Sequence, residues 1–279
     1  MRDEAFDDQG NLDALQGGVV LVACVGNTRT RLGLVRSGEL SEGASFSNSD
    51  LESLMAHARK LSENHAGVMA LVASVNEPVA KRVVSALEEE TGEVFRVGRD
   101  VTIPLQLALD DVAGVGQDRL LASLAAFRLM KQACVVIDAG TAITVNFVDG
   151  AGIFQGGVIA PGLHMMLRSM HTGTAQLPAS SESFAAPDAQ RGPFGKDTKH
   201  AMQLGVVNAA RGLVRHTVET FAEAYEAYPT VIATGGDAEL LFENDGLIER
   251  IVPDLVLLGM AELCKTNEEE DDSDEDMLG

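Results

Sequence analysis

Short apolar runs alternate with amphipathic stretches along most of the chain. The runs at 19–25, 68–75, 134–137 and 231–233 are rich in β-branched residues and predict buried strands. Apolar residues recur at helical spacing in 49–63, 79–87, 118–132, 162–171 and 199–227, which predicts helices. Strands that alternate with helices in this way are typical of an α/β protein.

Two segments share the order strand, glycine turn, strand. The first passes through Gly26 and the second through Gly140, and at an offset of 114 residues Thr30 also falls on Thr144. This repeat predicts an α/β fold of two duplicated domains with a cleft between them. The predicted division is an N-terminal extension (1–18), a first domain (19–117), a second domain (118–264) and a tail (265–279).

Charge and cysteine content narrow the classes of function. The chain has 21 basic and 42 acidic residues and a net charge of −21, part of it in the acidic run 268–276. So negative a chain is expected to bind neither nucleic acid nor an anionic membrane surface. No apolar run approaches the ~20 residues that span a bilayer. Three widely spaced cysteines suit a reducing compartment, so we expect a cytoplasmic protein with a disordered extension and tail.

The glycine turns are candidate phosphate sites. A strand–turn–strand with Gly and Thr at the bend can direct backbone N–H groups and hydroxyls at one point, where phosphate oxygens fit. Gly235-Gly236 is a third turn at which a ligand could approach closely. The chain has neither a GxxxxGK[ST] loop nor a GxGxxG fingerprint. The alternative is that these turns are ordinary bends between strands.

Two aspartates are candidates for chemistry. Asp118 begins the long helix, where its carboxylate could take a proton from a substrate hydroxyl while Arg119 binds an anionic group. Asp138 ends an apolar strand, and ligands of α/β proteins bind at that edge of a sheet. The alternative for Asp118 is a structural carboxylate that the helix dipole stabilises, and the alternative for Asp138 is an aspartate that caps a turn.

Seven motifs occur in an order that resembles one known family, the type III pantothenate kinases. They are VGNTRTRLGL (25–34), GQDR (116–119), DAGTAITV (138–145), QGGVIAPGL (155–163), TAQLP (174–178), KDTKHAMQLG (196–205) and TGGDA (234–238). The resemblance covers about residues 19–263. It implies duplicated ribonuclease H-like domains of the actin-like ATPase superfold. It also implies phosphorylation of pantothenate by ATP, the first step of coenzyme A biosynthesis.

The resemblance assigns a role to each matching position. Asp118 would accept the proton of the pantothenate hydroxyl, and Asp138 would bind a monovalent cation, K⁺ or NH₄⁺. The family works as a homodimer with Mg²⁺ and ATP, so Thr198 would meet pantothenate across the subunit interface. The implied ATP-binding residues are Cys24, Val25, Gly26, Asn27, Thr28, Arg29, Thr30, Arg31 and Thr141, and the implied pantothenate-binding residues are Gly116, Gln117, Asp118, Arg119 and Thr198.

Two positions depart from the family pattern. Cys24 stands where the family has an aspartate that helps to hold Mg²⁺, and a neutral thiol is a poor ligand for a hard cation. Leu109 stands where the family usually has a tyrosine near the pantothenate pocket. Three interpretations therefore remain: an active pantothenate kinase, a regulatory or nucleotide-binding protein of the same fold with weakened turnover, and a kinase for another small hydroxylated acid.

Overall fold

Each of the two glycine-turn segments opens a β-sheet. In the first sheet the strand order is β3-β2-β1-β4-β5, with β1, β2 and β3 antiparallel and β4 and β5 parallel to β1. The strands are β1 (Val19–Val25), β2 (Arg29–Arg36), β3 (Glu39–Ser47), β4 (Met69–Ser74) and β5 (Val94–Arg96). The apolar runs thus form the two central strands β1 and β4, as predicted.

The first half has four helices, and all but the first form where the apolar periodicity predicts them. They are α1 (Asp8–Leu15), α2 (Leu51–Ser62), α3 (Glu77–Thr91) and α4 (Gln117–Met130). The Asp50 side chain caps α2 by accepting from Ser53 N at 3.1 Å. Gly92 ends α3 in the left-handed conformation. The apolar stripes of α2 and α3 pack on one face of β1, β2 and β4, and this layer is a core of the first sheet.

The second half repeats this plan. Its sheet has the order β11-β10-β7-β8-β9-β6, and one face of β7, β8 and β10 packs against α5, α6 and α7. The elements are β6 (Gln106–Leu107), β7 (Cys134–Ala139), β8 (Ala142–Val148), β9 (Ile153–Pro161), α5 (Leu163–Thr172), α6 (Thr198–Tyr225), β10 (Thr230–Thr234), α7 (Ala238–Phe242), β11 (Arg250–Ile251) and α8 (Leu255–Glu262).

The two sheets have the same topology. In each, three antiparallel strands in chain order are followed by two strands parallel to the first, so β7, β8, β9, β10 and β11 repeat β1 to β5. Strand β6 is added to the second sheet beside β9. This duplication confirms the predicted α/β fold of two ribonuclease H-like domains.

The strand register corrects the repeat read from the sequence. Cys24 lies opposite Arg31 in the first hairpin, and Asp138 lies opposite Thr144 in the second. The structural equivalent of Thr144 is therefore Arg31 and not Thr30. The reason is the turn: Gly26 N donates to Arg29 O, whereas Gly140 N donates to Ala142 O, so the second turn is one residue shorter.

The structure, a computed structural model, describes residues 8–179 and 184–265. Contacts between residues divide it into two compact units. Unit 1 consists of the described parts of Met1–Pro104, Val115–Ala125 and Val256–Gly279. Unit 2 consists of the described parts of Leu105–Gly114 and Ala126–Leu255. The units thus interleave along the chain, whereas the predicted domains were continuous. Within unit 1, Gly259 of α8 lies against the backbone of Leu121, where a Cβ would collide.

The extension and the tail differ in what the structure describes. The sequence predicts disorder over 1–18, but Asp8–Leu15 form α1 and the Leu15 side chain is fully buried. Burial of this apolar side chain explains why the segment is ordered. The acidic run 268–276 lies outside the described residues. None of the helices in the described part of the chain is both long and apolar enough to cross a membrane.

Candidate active site

Three of the predicted ATP-binding residues are exposed where β1 turns into β2: Asn27 and Thr28 in the turn and Arg29 at the start of β2. The Arg29 guanidinium already donates to the hydroxyl and carbonyl oxygens of Ser45, at 2.8 and 2.7 Å. The Val25 and Thr30 side chains are buried on the helix-covered face of the sheet. The backbone N–H groups of Asn27 and Thr28 and the Thr28 hydroxyl are therefore the groups of this turn best suited to phosphate oxygens.

Two asparagine side chains clamp this turn. The Asn48 amide donates to Gly26 O at 2.8 Å and accepts from the Thr30 hydroxyl at 2.8 Å, while Asn48 N donates to Thr28 O at 3.1 Å. From the end of β4, Asn76 Nδ2 donates to Asn27 O at 3.4 Å. The turn is thus held on two sides before any ligand arrives.

Cys24 lies on the sheet face opposite α2 and α3. Its neighbours Ala23 and Val25 belong to the core under those helices, so alternation places Cys24 on the other face, across from Arg31. Cys24 is buried, with 8% of the residue exposed. Among the residues that the structure describes, no three His, Cys, Asp or Glu side chains cluster so as to hold a metal ion.

Asp118 lies in the first turn of α4 and is partly buried. Its Oδ1 accepts from Arg119 N at 2.8 Å, and a Cβ at Gly116 would lie 2.6 Å from that oxygen. Glycine at position 116 therefore leaves the space that the carboxylate occupies. Burial raises the pKa of Asp118 above its ordinary value, although the Arg119 N–H and the Arg119 charge act in the opposite direction. A raised pKa makes the carboxylate a stronger base than an exposed aspartate.

Asp138 is the penultimate residue of β7 and lies on the sheet face opposite α5 and α6, since Ile137 and Ala139 belong to the core under those helices. Its register neighbours are Thr144 on β8 and Thr234 on β10. A carboxylate flanked by two hydroxyl residues is an oxygen-rich donor set of the kind that hard cations prefer. The position thus fits a monovalent cation chemically.

Close backbone approach helps to hold the turn between β7 and β8. Gly162 N donates to Thr141 O at 3.1 Å, and a Cβ at Gly162 would lie 2.6 Å from the same oxygen. Gly235 has φ +97°, and its Cβ would lie 2.5 Å from Asp138 Oδ1. Asp237 N donates to Ala139 O at 2.9 Å. These contacts bring Thr141, the predicted ATP contact in this unit, next to the first turn of α5.

Asp237 is a second perturbed carboxylate in unit 2. Burial raises the pKa of Asp237, and the charge of His164 on α5 opposes this shift. The two cysteines outside the hairpin turns are also perturbed, because burial raises the pKa values of Cys134 and Cys264 to about 12. Thiols with such pKa values are unreactive at neutral pH, so neither is a candidate nucleophile.

Thr198 is the first residue of α6 and borders an apolar groove between α5 and α6. Asp197 caps the helix by accepting from His200 N at 2.8 Å. The groove has a volume of about 550 Å³, and its other lining residues include Met166, Met170, Leu177 and Met202. An exposed concave surface lined by methionine and leucine is a surface suited to a protein partner.

Leu109 packs on strand β9. Its Cδ2 lies 3.1 Å from the position that a Cβ would take at Gly156, where φ is +100°. The backbone beside it is fixed, because Ala108 N donates to Phe154 O at 3.0 Å. The side chain at position 109 therefore covers the glycine bend of β9.

The sequence did not reveal several residues that shape the site. Asn48 and Asn76 act over 22 and 49 residues, respectively. The Ser74–Asn76 corner contacts both the predicted ATP turn and the predicted pantothenate motif, since Ser74 N donates to Gln117 Oε1 at 3.1 Å. One signal was available: an asparagine before Glu77-Pro78 marks a helix N-terminus, and Asn76 does cap α3.

Comparison with known proteins identifies the family. A model of the family described as type III pantothenate kinase matches residues 20–220. A relative of that name from Porphyromonas gingivalis is 32% identical over 88% of this chain and 98% of its own length. Another, from Fervidobacterium nodosum, is 30% identical over 87% of this chain and 95% of its own length. A third, from Rhodopirellula baltica, is 38% identical, and the match spans 62% of either chain.

Solved structures agree in fold. A Baf-family protein from Campylobacter jejuni superposes with a TM-score of 0.51 and 18% identity over 87% of this chain and 96% of its own. The activator of a 2-hydroxyisocaproyl-CoA dehydratase from Clostridium difficile gives a TM-score of 0.50 and 11% identity over 88% of this chain and 92% of its own. These two likenesses concern the fold alone. The family match and the relatives together show that the chain belongs to the type III pantothenate kinase family.

Proposed function

We propose that this protein transfers the γ-phosphoryl group of ATP to the hydroxyl group of pantothenate, giving 4′-phosphopantothenate and ADP, the first step of coenzyme A biosynthesis. The observation that carries the proposal is Asp118, a partly buried carboxylate of raised pKa at the start of α4. The hydroxyl oxygen forms a bond to the γ-phosphorus, the bond to the ADP oxygen breaks, and Asp118 takes the hydroxyl proton. Positioning and charge neutralisation do most of the work in such a transfer.

The remaining site residues would bind and orient the two substrates. In unit 1, the segment from Cys24 to Arg31 would contact ATP phosphates, mainly through the backbone of the 26–28 turn. The segment Gly116–Arg119 would bind pantothenate, with the Arg119 guanidinium near its carboxylate. In unit 2, Thr141 would contact ATP and Asp138 would hold K⁺ or NH₄⁺ with the hydroxyl groups beside it. A bound monovalent cation supplies positive charge that offsets the negative phosphates.

Magnesium would come with the nucleotide. Mg²⁺ usually keeps several waters and binds through one or two carboxylates together with substrate phosphates. The described residues offer no cluster of three metal-binding side chains, and Cys24 supplies a buried thiol. ATP phosphates would therefore provide the Mg²⁺ ligands in this chain, which is expected to slow turnover.

We also propose that the protein works as a homodimer. The support is the groove between α5 and α6, whose apolar lining and exposed Thr198 lie on the same surface of unit 2. Burial of this surface against a second copy would remove apolar area from water. It would also present Thr198 to the partner's pantothenate.

Cys24 supports a second candidate, a nucleotide-binding or regulatory protein with little turnover. Phosphate transfer to pantothenate, measured as ADP release with Mg²⁺·ATP in K⁺ or Na⁺, separates the two. The kinase proposal expects slow, K⁺-dependent turnover in the wild type and an increase of about 10-fold in Cys24→Asp, since a carboxylate would then face the phosphates. If both proteins bind ATP and neither releases ADP, the regulatory function is correct.

Asp118→Asn tests the proposed base. Asparagine can still accept from Arg119 N, so we expect kcat to fall by about 10²- to 10⁴-fold without loss of structure. The pKa of Asp118 is raised in the folded state, so the ionised carboxylate lowers the free energy of unfolding at pH values above that pKa. This loss disappears at low pH, where Asp118 is protonated in both the folded and the unfolded protein. The thermal midpoint of Asp118→Asn at neutral pH should therefore equal or exceed that of the wild type.

The same raised pKa sets the pH dependence. Activity requires the deprotonated carboxylate, so kcat/KM should fall as the pH drops through the pKa of Asp118. This acid limb should begin at a higher pH than that of an ordinary aspartate. A large decrease in thermal midpoint for Asp118→Asn, with activity retained, would show that Asp118 only stabilises the start of α4.

A further inference from the structure

The Gln117 side chain already has partners at both ends of its amide group. Gln117 Nε2 donates to Val97 O at 2.6 Å, and Gln117 Oε1 accepts from Ser74 N at 3.1 Å. Ser74 is the last residue of β4, and Val97 directly follows the neighbouring parallel strand β5. The amide thus ties the first residue of α4 to the edge of the first sheet, and its polar groups point at backbone.

The turn that follows β5 is shaped to receive this side chain. Gly98 has φ +76°, and a Cβ there would collide with Gln117 Nε2. The turn is fixed by Gly98 N donating to Val101 O at 2.7 Å and by Arg96 N donating to Asp100 Oδ2 at 2.8 Å. Asn11 of α1 adds a bond from its Nδ2 to Asp100 O at 2.8 Å. An alanine at position 98 would therefore carry backbone strain and would displace the Gln117 amide from its place against the turn.

The position of Gln117 determines that of Asp118. The two residues are consecutive in the first turn of α4, and Arg119 N and Leu120 N both donate to Gly116 O, at 3.1 and 3.4 Å. Asp118 Oδ1 occupies the space beside Gly116 that a Cβ would need. A shift of Gln117 would consequently move the carboxylate. An error of about 1 Å in a reacting group can cost about 100-fold in rate.

We infer that Gln117 is a positioning residue whose amide, seated against the Val97–Gly98 turn, fixes the Asp118 carboxylate, and that Gly98 is a determinant of turnover outside the family motifs. Gln117 then contributes to pantothenate binding only through its backbone. The role presupposes the proposed phosphoryl transfer, because it acts through Asp118. It differs from a role as substrate ligand, in which the Gln117 amide would contact pantothenate itself.

Gly98→Ala and Gly92→Ala form a matched pair. Gly92 has φ +78°, so alanine there carries the same backbone strain, but a Cβ at Gly92 has no atom within 4 Å. We expect Gly98→Ala to lower kcat by about 10-fold or more relative to Gly92→Ala, while KM for pantothenate and for ATP changes less than about twofold. Equal kcat values for the two variants would overturn the inference.

Gln117→Ala completes the test. It should also lower kcat with little change in KM for pantothenate. Adding Gly98→Ala to Gln117→Ala should lower kcat much less than Gly98→Ala does in the wild type, because the colliding amide is gone. A raised KM for pantothenate with unchanged kcat in Gln117→Ala would make Gln117 a substrate ligand and overturn the inference. This variant keeps the test decisive if Gly98→Ala fails to fold.

A readout without turnover separates this inference from the proposed function. Hydrogen exchange of the Arg119 and Leu120 amides reports on the first turn of α4. Exchange there should be faster in Gly98→Ala than in Gly92→Ala or the wild type, and unchanged exchange would overturn the inference. If the wild type transfers no phosphate to pantothenate, the proposed function fails, while the exchange comparison still decides whether the Val97–Gly98 turn holds the start of α4.

Discussion

The two hairpins that open the sheets have the same topology but are held in different ways. The turn after β1 is clamped by the side chains of Asn48 and Asn76. The turn after β7 is held by Gly162 and Gly235, whose backbones approach so closely that a Cβ would overlap. The hairpins also differ in chemistry, with Cys24 opposite Arg31 in the first and Asp138 opposite Thr144 in the second. A duplicated fold thus keeps its strand order while the residues that support and use each copy diverge.

The largest effect is expected at the glycine contacts of the second hairpin. In Gly235→Ala, strain at φ +97° combines with a Cβ 2.5 Å from Asp138 Oδ1, so unfolding free energy should fall by about 3 kcal/mol. Gly236→Ala is the control, because a Cβ there meets nothing within 4 Å. Urea unfolding of both variants measures the difference. Similar midpoints would show that the second turn does not depend on close backbone approach.

Exchanging the residues at the strand ends tests the chemical difference. Asp138→Cys gives the second hairpin the thiol of the first, and we expect kcat to fall by about 100-fold through loss of a preorganised charge. The activation by K⁺ should disappear with it. ADP release across a series of K⁺ concentrations at constant ionic strength measures both. A retained K⁺ response would place the monovalent cation elsewhere.

Asn48→Ala tests the side-chain clamp of the first hairpin. It removes the bonds to Gly26 O and from the Thr30 hydroxyl, which should lower unfolding free energy by about 1–2 kcal/mol. The loosened turn should also raise KM for ATP severalfold. Ser49→Ala, at an exposed neighbouring position, should change neither quantity. An unaltered KM in Asn48→Ala would mean that the clamp serves stability alone.

The smallest expected change in stability is the one that distinguishes Gly26 from Gly140, the glycines of the two hairpin turns. A Cβ at Gly26 would lie 3.0 Å from Arg29 O, whereas at Gly140 the nearest atom would be Asp138 Oδ1 at an ordinary 3.6 Å. We expect Gly26→Ala to lower unfolding free energy by about 1 kcal/mol and Gly140→Ala by less than about 0.5 kcal/mol. Urea midpoints again decide. A greater loss of unfolding free energy in Gly140→Ala than in Gly26→Ala would show that position 140, and not position 26, is the more closely packed.

The sequence predicts the elements that local pattern determines. The central strands β1, β4, β7 and β10 are continuous apolar runs, and α2 to α6 show helical spacing, so their positions follow from burial. The sequence pattern does not predict strands β3 and β9. Strand β3 is rich in Ser and Glu, and β9 carries two glycines and ends in proline, which breaks the alternation of apolar and polar residues.

The site was predictable only in part. Asp118 and Asp138 could be selected because a carboxylate at a helix start or strand end is visible in the sequence. The clamp by Asn48 and the partners of Gln117 join residues far apart in the chain, so no local pattern reports them. The difference between Gly235 and Gly236 is likewise invisible in the sequence, since it depends on which backbone lies beside each residue.

The burial of all three cysteines has a practical consequence for spectroscopy. Cys24, Cys134 and Cys264 are buried, and the last two hold their protons well above neutral pH. The native protein should consequently consume little maleimide. A cysteine introduced at an exposed position such as Asp13 or Lys60 would then carry a fluorophore almost alone. Ligand binding could then be followed by the fluorescence of that single label, with every native thiol left in place.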